Sequence, residues 1–340
     1  MYTYNRKNDN NKGIPQLRVL VTSRCNSKCI YCRDGGETFT VNKDEEMTAD
    51  EIVKIVGKLS DFGMRSVKIS GGEPMLRNDL TEIVDRIKHI ENIKYLELIT
   101  RDPRVVGILK ELEQSGLDCL NFSLDTLRPE RWKCINGKEG LEKLIESIKE
   151  ASKYKMHLKI NSVLIQENFE EIYEIIKLLE SLGGGSLKLL DLIDDIVQER
   201  DERCLDVSKC IKISEVIKDL DKICLSSEII NAPGGLGHPM KRFVLPNNVD
   251  VVVKTSQEGA FYHADCKKCV NFPCYDALMA LRLTPNGSLQ RCLLREDNLV
   301  DLKSYVHNED DLDDAIRKVL STYSEAVFYE KEQIDKMKKN

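Results

Sequence analysis

Three cysteines in Cys25-Asn-Ser-Lys-Cys29-Ile-Tyr-Cys32 are the residues of this 340-residue chain whose type and spacing best suit chemistry. Three thiolates this close cannot complete a tetrahedral structural zinc site unaided. They can bind three irons of a cubane [4Fe–4S] cluster and leave the fourth iron open to a substrate or cofactor. A second block, Ser70-Gly71-Gly72-Glu73-Pro74, pairs two glycines that admit close backbone approach with a carboxylate able to hold an ammonium group. Its plain alternative is a strand-to-helix turn. A third set, Cys266-Lys-Lys-Cys269 with Cys274 and Cys292, reads by spacing alone as a four-cysteine zinc site. Of the remaining cysteines, Cys119 lies in an apolar run and is expected to be a core thiol.

These residues need a frame to position them. Short apolar runs at Leu17–Val21, Ser66–Ile69, Tyr95–Thr100, Cys119–Leu124, Leu158–Leu164 and Leu187–Leu192 alternate with amphipathic stretches. The runs suit strands buried on both faces. Thr48 and Glu51 form a capping-box pattern ahead of a helix carrying Ile52, Ile55, Val56 and Leu59, and Gly140–Tyr154 and Phe169–Leu182 share its periodicity. Six β-then-α repeats predict parallel strands with right-handed crossovers: an α/β fold, specifically a partial (β/α)6 TIM-type barrel with its chemistry at the strand C-termini. The first cysteine loop and the Gly-Gly-Glu block both fall at such ends. The expected organisation is a flexible lead-in over 1–14, the barrel over 15–214, a small α+β domain over 215–305 and a helical tail over 306–340. Pro285-Asn286-Gly287 marks a hairpin turn within the third part.

A formal charge of −6 speaks against indiscriminate nucleic-acid binding, and no apolar run reaches the length of a membrane span. Twelve cysteines without a secretion signal predict metal ligands and buried thiols in a reducing cytoplasm rather than disulfides. Inside a barrel an unpaired cation is costly. Lys68 and Lys159, on strands expected to face inward, would therefore be accounted for by a bound anion.

Cys-x3-Cys-x2-Cys with an aromatic before its last cysteine, followed by Gly-Gly-Glu-Pro, resembles the radical S-adenosylmethionine (SAM) superfamily. Further blocks are similar to its GTP 3′,8-cyclase-like branch: Leu17-Arg18-Val-Leu-Val-Thr22, Asn121-Phe-Ser123-Leu-Asp125-Thr126, Lys159-Ile-Asn161 and Leu281-Arg282-Leu283-Thr284, in order along nearly the whole chain. The resemblance implies an enzyme whose first cluster, on Cys25, Cys29 and Cys32, binds SAM at its open iron. It implies reductive cleavage of SAM to methionine and a 5′-deoxyadenosyl radical, which takes a hydrogen atom from substrate. By the same likeness Gly71, Gly72 and Glu73 face the methionine end of SAM and Tyr31 packs near its adenine. Thr100, Ser123 and Asn161 become SAM contacts, although each could equally be a strand-terminal polar residue satisfying a turn. The C-terminal cysteines Cys266, Cys269, Cys274 and Cys292 become ligands of an auxiliary [4Fe–4S] cluster, closed if all four bind and open if one does not. Arg18, Lys68, Lys159 and Arg282 match basic positions that serve an anionic substrate, whereas Arg77 reads as a salt-bridged surface cation. The branch's Arg-Leu-Arg run is Ala280-Leu281-Arg282 here, and its terminal Gly-Gly is replaced by Lys336-Met-Lys-Lys-Asn340. The expected substrate is a small polar, nucleotide-like molecule, with a flavodoxin or ferredoxin as reductant and no nucleic-acid or membrane partner. A peptide-modifying maturase and a non-catalytic iron–sulfur or zinc redox sensor are the alternatives.

Overall fold

The computed structural model describes residues 14–32, 41–191, 213–232, 236–254, 259–274, 276–295 and 297–337. The chain opens with β1 (Gln16–Leu20), α1 (Ala49–Asp61), β2 (Ser66–Ser70), α2 (Leu80–Lys88), β3 (Tyr95–Thr100), α3 (Leu109–Gln114), β4 (Cys119–Ser123), α4 (Pro129–Asn136), α5 (Leu141–Ala151), β5 (His157–Leu164), α6 (Ile172–Ser181) and β6 (Gly185–Asp191). β1 to β6 pair in parallel, each with the next, as the alternation of runs predicts. α1 is closed at its start by the expected box, Thr48 accepting from the Glu51 amide while Glu51 accepts from the Thr48 amide. It buries Ile52, Ile55, Val56 and Leu59 against the sheet.

The strands differ from the expectation of two apolar faces. In β5 the burial alternates residue by residue: Leu158, Ile160, Ser162 and Leu164 are buried, while His157, Lys159, Asn161 and Val163 are only partly so. The face under the helices joins the main apolar core through Leu17, Val19, Val67, Ile69, Leu96, Leu98, Leu120, Phe122, Leu158 and Ile160. The opposite face is polar and lines a lumen. Period-two alternation was masked in the sequence because the lumen positions hold long side chains whose stems are themselves apolar.

The rest of the described chain is α7 (Ile213–Ile223), β7 (Ser226–Ile230), β8 (Met240–Leu245), β9 (Val249–Lys254), β10 (Ala260–Tyr262), β11 (Ala280–Leu283), β12 (Ser288–Gln290), β13 (Leu299–Asp301), α8 (Glu309–Ser324), β14 (Val327–Tyr329) and α9 (Lys331–Met337). The strands of 215–305 extend both edges of the barrel sheet, giving the order β13-β12-β11-β1-β2-β3-β4-β5-β6-β9-β8-β7. β11 runs parallel to β1 with Arg282 beside Arg18, and turns through Pro285–Gly287 into antiparallel β12. On the far edge β9 runs parallel to β6. The result is a curled, open α/β half-barrel. The charged stretch 201–224, whose composition predicts a helix, holds α7 over its second half; residues 201–212 lie outside the described residues.

Candidate active site

The loop after β1 carries Cys25, Cys29 and Cys32 to the C-terminal edge of the sheet, Cys25 and Cys32 exposed and Cys29 half-buried. Two anchors hold it. On one side the Lys28 and Ile30 amides donate to the carbonyls of Asn136 and Ile135 at the end of α4, at 2.9 and 3.0 Å. On the other side the Gly-Gly-Glu strap continues the β1–β2 pairing: the Gly72 amide donates to Thr22 O at 2.7 Å and the Glu73 amide to Arg24 O at 2.8 Å. A Cβ on Gly71 would lie 2.5 Å from Thr22 O, and one on Gly72 would lie 2.2 Å from Arg24 O. The two glycines thus admit the root of the cysteine loop itself.

Glu73 is 2% exposed. Its carboxylate accepts from Thr100 Oγ1 at 2.6 Å, from the Arg101 amide at 3.1 Å and from the Met75 amide at 3.1 Å. Burial raises its pKa, against the pull of those three donors. Thr100 also accepts from the Asp102 amide, so its hydroxyl fixes Glu73 to the end of β3. Asp102 in turn accepts from Asn26 Nδ2 at 2.8 Å, a third tether on the cysteine loop.

Tyr31 sits between two residues to which the sequence motifs gave no role. Its hydroxyl donates to Asp125 Oδ2 at 2.5 Å and accepts from Arg101 Nη2 at 2.9 Å. Burial raises the phenol well above its usual value; Arg101 opposes the shift and Asp125 adds to it. Arg101 Nη1 reaches Cys29 Sγ at 3.0 Å, and the guanidinium carbon stands 6.0 Å from the ring centres of both Tyr31 and Trp132. Asp125 is steadied by the Val163 amide at 2.9 Å. Its place two residues past Ser123, inside a polar Ser-Leu-Asp-Thr strand end, was the available signal; Arg101 had none beyond following Thr100.

Ser123 closes β4, half-buried, and Asn161 lies beside it in register on β5. Asn161 Oδ1 is buried without a hydrogen-bond partner. An orphaned acceptor on the polar face of β5, level with the last residue of β4, is the feature a bound ligand would satisfy. Cys25, Cys29 and Cys32 on one loop, the outer two exposed, and Asn161 with its unmet oxygen therefore fit a cluster and an adjoining polar cofactor.

Below this edge the lumen opens into a cavity of about 580 Å³ whose lining includes Arg18, Lys68, Glu97, Lys159, Lys188 and Met279. No residue of the cysteine loop is part of that lining, which descends to the N-terminal ends of the strands at Gln16, Ser66, Tyr95 and His157. Glu97 corrects the reading of Lys68 and Lys159 as cations awaiting an external anion. It bridges Lys68 Nζ and Lys159 Nζ, each at 3.2 Å, and accepts from Asn121 Nδ2 and the Tyr95 hydroxyl. Burial opposes its ionisation, but the two lysines hold it well below the usual carboxylate range. A lone carboxylate in the apolar run Tyr95–Thr100 was the overlooked sign, since a buried charge demands a partner. Lys188, one strand further, has its pKa pushed well below the usual lysine value by burial and by Lys68 and Lys159. Arg282 is 2% exposed, is bound to Asp276 at 3.1 Å and does not line the cavity. Arg77 is the salt-bridged cation expected, bound to Asp79 at 2.6 Å.

Lys68 makes the lumen sensitive to pH. Burial, with Lys159 and Arg18 adding to it and Glu97 opposing, lowers its pKa to about 8. Above about pH 8 the lumen loses positive charge, so the KM for an anionic ligand is expected to rise several-fold from about pH 7 to pH 9, as a steady-state pH profile would record. The stability effect has the opposite sign. The folded pKa lies below the unfolded 10.5, so the unfolded chain binds more protons between the two values and this group's contribution to stability improves as pH rises through that window.

The C-terminal cysteines gather at the other end of the lumen. Cys292 follows β12, which runs antiparallel to β11, and Met279 and Ala280 at the start of β11 line the cavity. Cys266 is near enough to Cys269 and Cys292, and Cys274 to Cys292, for their charges to interact. Burial pushes the Cys274 thiol up to about 12 and Cys292 to about 11. All four are half-buried free thiols, as four ligands of one centre would be before metal enters. Among the described residues no three His, Cys, Asp or Glu side chains converge as they would on a single ion, and cubane ligands need not, each thiolate binding its own iron. Cys119 is wholly buried as expected, but on the lumen face of β4 beside Glu97 and Tyr95 rather than among the apolar core side chains.

Comparison with known proteins decides the family. Residues 19–179 match the model of the radical SAM superfamily. A probable GTP 3′,8-cyclase of Thermococcus kodakarensis is 30% identical over 301 residues, covering 87% of this chain and 90% of that one. The chain belongs to the radical SAM superfamily. A probable GTP 3′,8-cyclase of Sulfurisphaera tokodaii is likewise 30% identical to this radical SAM enzyme, over 322 residues and 93% of each chain. In fold the enzyme is similar to the Streptococcus suis protein SuiB, solved bound to S-adenosylmethionine, with a TM-score of 0.61 at 16% identity over 89% of this chain and 65% of that one. A [4Fe–4S] cluster and SAM are thereby implied as cofactors. No helix among the described residues is long and apolar enough to cross a membrane.

Proposed function

We propose that this radical SAM enzyme binds its catalytic cluster on Cys25, Cys29 and Cys32 and acts on a small, polar, nucleotide-like substrate held in the lumen. The observation that carries the reading is the placement of a cation-rich cavity between two cysteine sets at opposite ends of one half-barrel. Bound on the first loop, the cluster supplies one electron to cleave SAM into methionine and the 5′-deoxyadenosyl radical that removes hydrogen from substrate. The chain's own residues do the rest. Gly71 and Gly72 seat the loop, Glu73 fixed by Thr100 presents the carboxylate edge of the strap, and Tyr31 offers its ring beside the loop. Ser123 and Asn161 meet the polar groups of SAM, the buried Asn161 Oδ1 gaining the donor it lacks. Arg18, Lys68, Lys159 and Lys188 draw an anionic substrate inward and hold its polar end, with Glu97 setting how much positive charge is left to it. Arg282, tied to Asp276 near Cys292, orients that end of the lumen. Cys266, Cys269, Cys274 and Cys292 hold an auxiliary [4Fe–4S] cluster there, closed by four thiolates. The reductant is a flavodoxin or ferredoxin in a cytoplasmic setting.

Anaerobic reconstitution tests both sites at once. About eight irons per chain are expected for two cubanes, against about four with one zinc if the C-terminal set binds zinc. Reduced with SAM, the enzyme should form 5′-deoxyadenosine, and GTP, other nucleotides and short peptides compared side by side should show acceleration by a nucleotide. Acceleration by peptides alone would transfer the assignment to peptide modification, and no 5′-deoxyadenosine above background would rule out the radical chemistry.

A further inference from the structure

We infer that Arg101, oriented by Tyr31 and Asp125, tunes the reduction potential of the first cluster by donating a charged hydrogen bond to the sulfur of Cys29. The inference rests on the reading that Cys25, Cys29 and Cys32 hold that cluster. Arg101 presents Nη1 to Cys29 Sγ at 3.0 Å and Nη2 to the Tyr31 hydroxyl at 2.9 Å, so both arms of its fork are in use. Asp125 Oδ2 receives the Tyr31 proton at 2.5 Å and stands 3.8 Å from Nη1. The side chain is 12% exposed, between the Tyr31 and Trp132 rings, where solvent screens its charge little.

A cysteine sulfur bound to one iron keeps lone pairs that can accept hydrogen bonds. Donors to cluster sulfurs and nearby positive charge both stabilise the reduced form, which carries one more negative charge. The couple concerned is a one-electron exchange with an external donor of the flavodoxin or ferredoxin class; no bond of the protein forms or breaks. Asp125 moderates the effect, because its carboxylate offsets part of the guanidinium charge felt at the sulfur. Arg101 is accordingly a positioning residue, acting through Cys29, and its contribution has a sign that packing alone would not produce.

The experiment uses the full chain, anaerobically reconstituted, with each cluster's midpoint potential followed by EPR-monitored redox titration. The first cluster is recognised as the signal that changes when SAM is added. R101Q should lower the potential of that signal by at least a tenfold change in the reduction equilibrium, which is about 59 mV for one electron. D125N, which keeps an acceptor for the Val163 amide, should raise it. The potential of the other cluster should be unmoved in both. A SAM-responsive signal whose potential is unchanged in both variants, or moves the same way in both, overturns the inference. Should R101Q not retain iron, D125N decides alone: a raised potential supports the inference, and an unchanged or lowered one overturns it. Loss of any SAM-responsive signal from the unsubstituted protein would instead overturn the cluster assignment beneath it.

Discussion

Replacing Glu97 with leucine is expected to destabilise the fold by about 3–5 kcal/mol, measured as a lowered urea midpoint at unchanged slope. Lys68 and Lys159 reach the same carboxylate from two strands at 3.2 Å each, and their side chains are only 11% and 15% exposed. Without Glu97 the ammonium groups on β2 and β5 lose their shared counter-charge, and the Asn121 amide and Tyr95 hydroxyl lose their acceptor as well. The penalty is that of stranded charge, not of a lost attraction, so it should largely vanish in the triple variant E97L/K68M/K159M, where neither ammonium group that Glu97 compensated remains. If E97L alone proves as stable as the unsubstituted chain, the lysines have another counter-ion and the account of the lumen fails. E97Q, which keeps the shape but only one of the two acceptor oxygens and leaves both ammonium groups without a counter-charge, should also be clearly destabilising. It should bind an anionic ligand several-fold more tightly, a difference visible by calorimetry.

Gly72→Ala should abolish cluster loading while leaving most of the barrel folded. The added Cβ would stand 2.2 Å from Arg24 O and 2.7 Å from Ser23 O, both backbone atoms that cannot rotate away. The Glu73 amide that bonds Arg24 O must then part from it, and the root of the cysteine loop shifts with it. Iron content per chain should fall by about half, the C-terminal set keeping its share, and SAM-dependent 5′-deoxyadenosine should fall to background. Gly57, with open space where its Cβ would go, is the control, and G57A should cost neither iron nor activity. Full iron content in G72A would show that the strap does not seat the loop.

The frame was legible because helices and apolar strand faces obey local rules. All six runs become parallel strands, and the capping box at Thr48 and the hairpin at Pro285–Gly287 form where their residue types require. The two cysteine sets stood out too, since cysteine spacing needs no knowledge of tertiary contacts. What escaped was everything made by partners distant in sequence. Glu97 neutralises lysines on β2 and β5, Asn136 braces the cysteine loop from the end of α4, and Asp125 reaches back to Tyr31. Reading Lys68 and Lys159 as calling for an external anion applied the right rule, that buried charge must be paired, with one member of the pair unseen. The glycine pair teaches the same lesson: its small size is needed by Thr22 and Arg24, residues of the same chain, and a sequence alone cannot say whether a close approach is by a ligand or by the protein.

The pairing of β11 with β1 bears on how the enzyme is made. Gln16 is matched to Ala280 and Val19 to Leu283, partners separated by most of the chain. Such a contact closes a very long loop and forms late, and a nascent chain emerging from the ribosome holds β1 with one edge unpaired until its last third is synthesised. The strand that launches the cysteine loop is therefore among the last to gain both neighbours. A ribosome stalled before β11 would carry β1 paired with β2 alone, its other edge still open, while the partners that anchor the cysteine loop at Gly72, Glu73 and Asn136 have already been made.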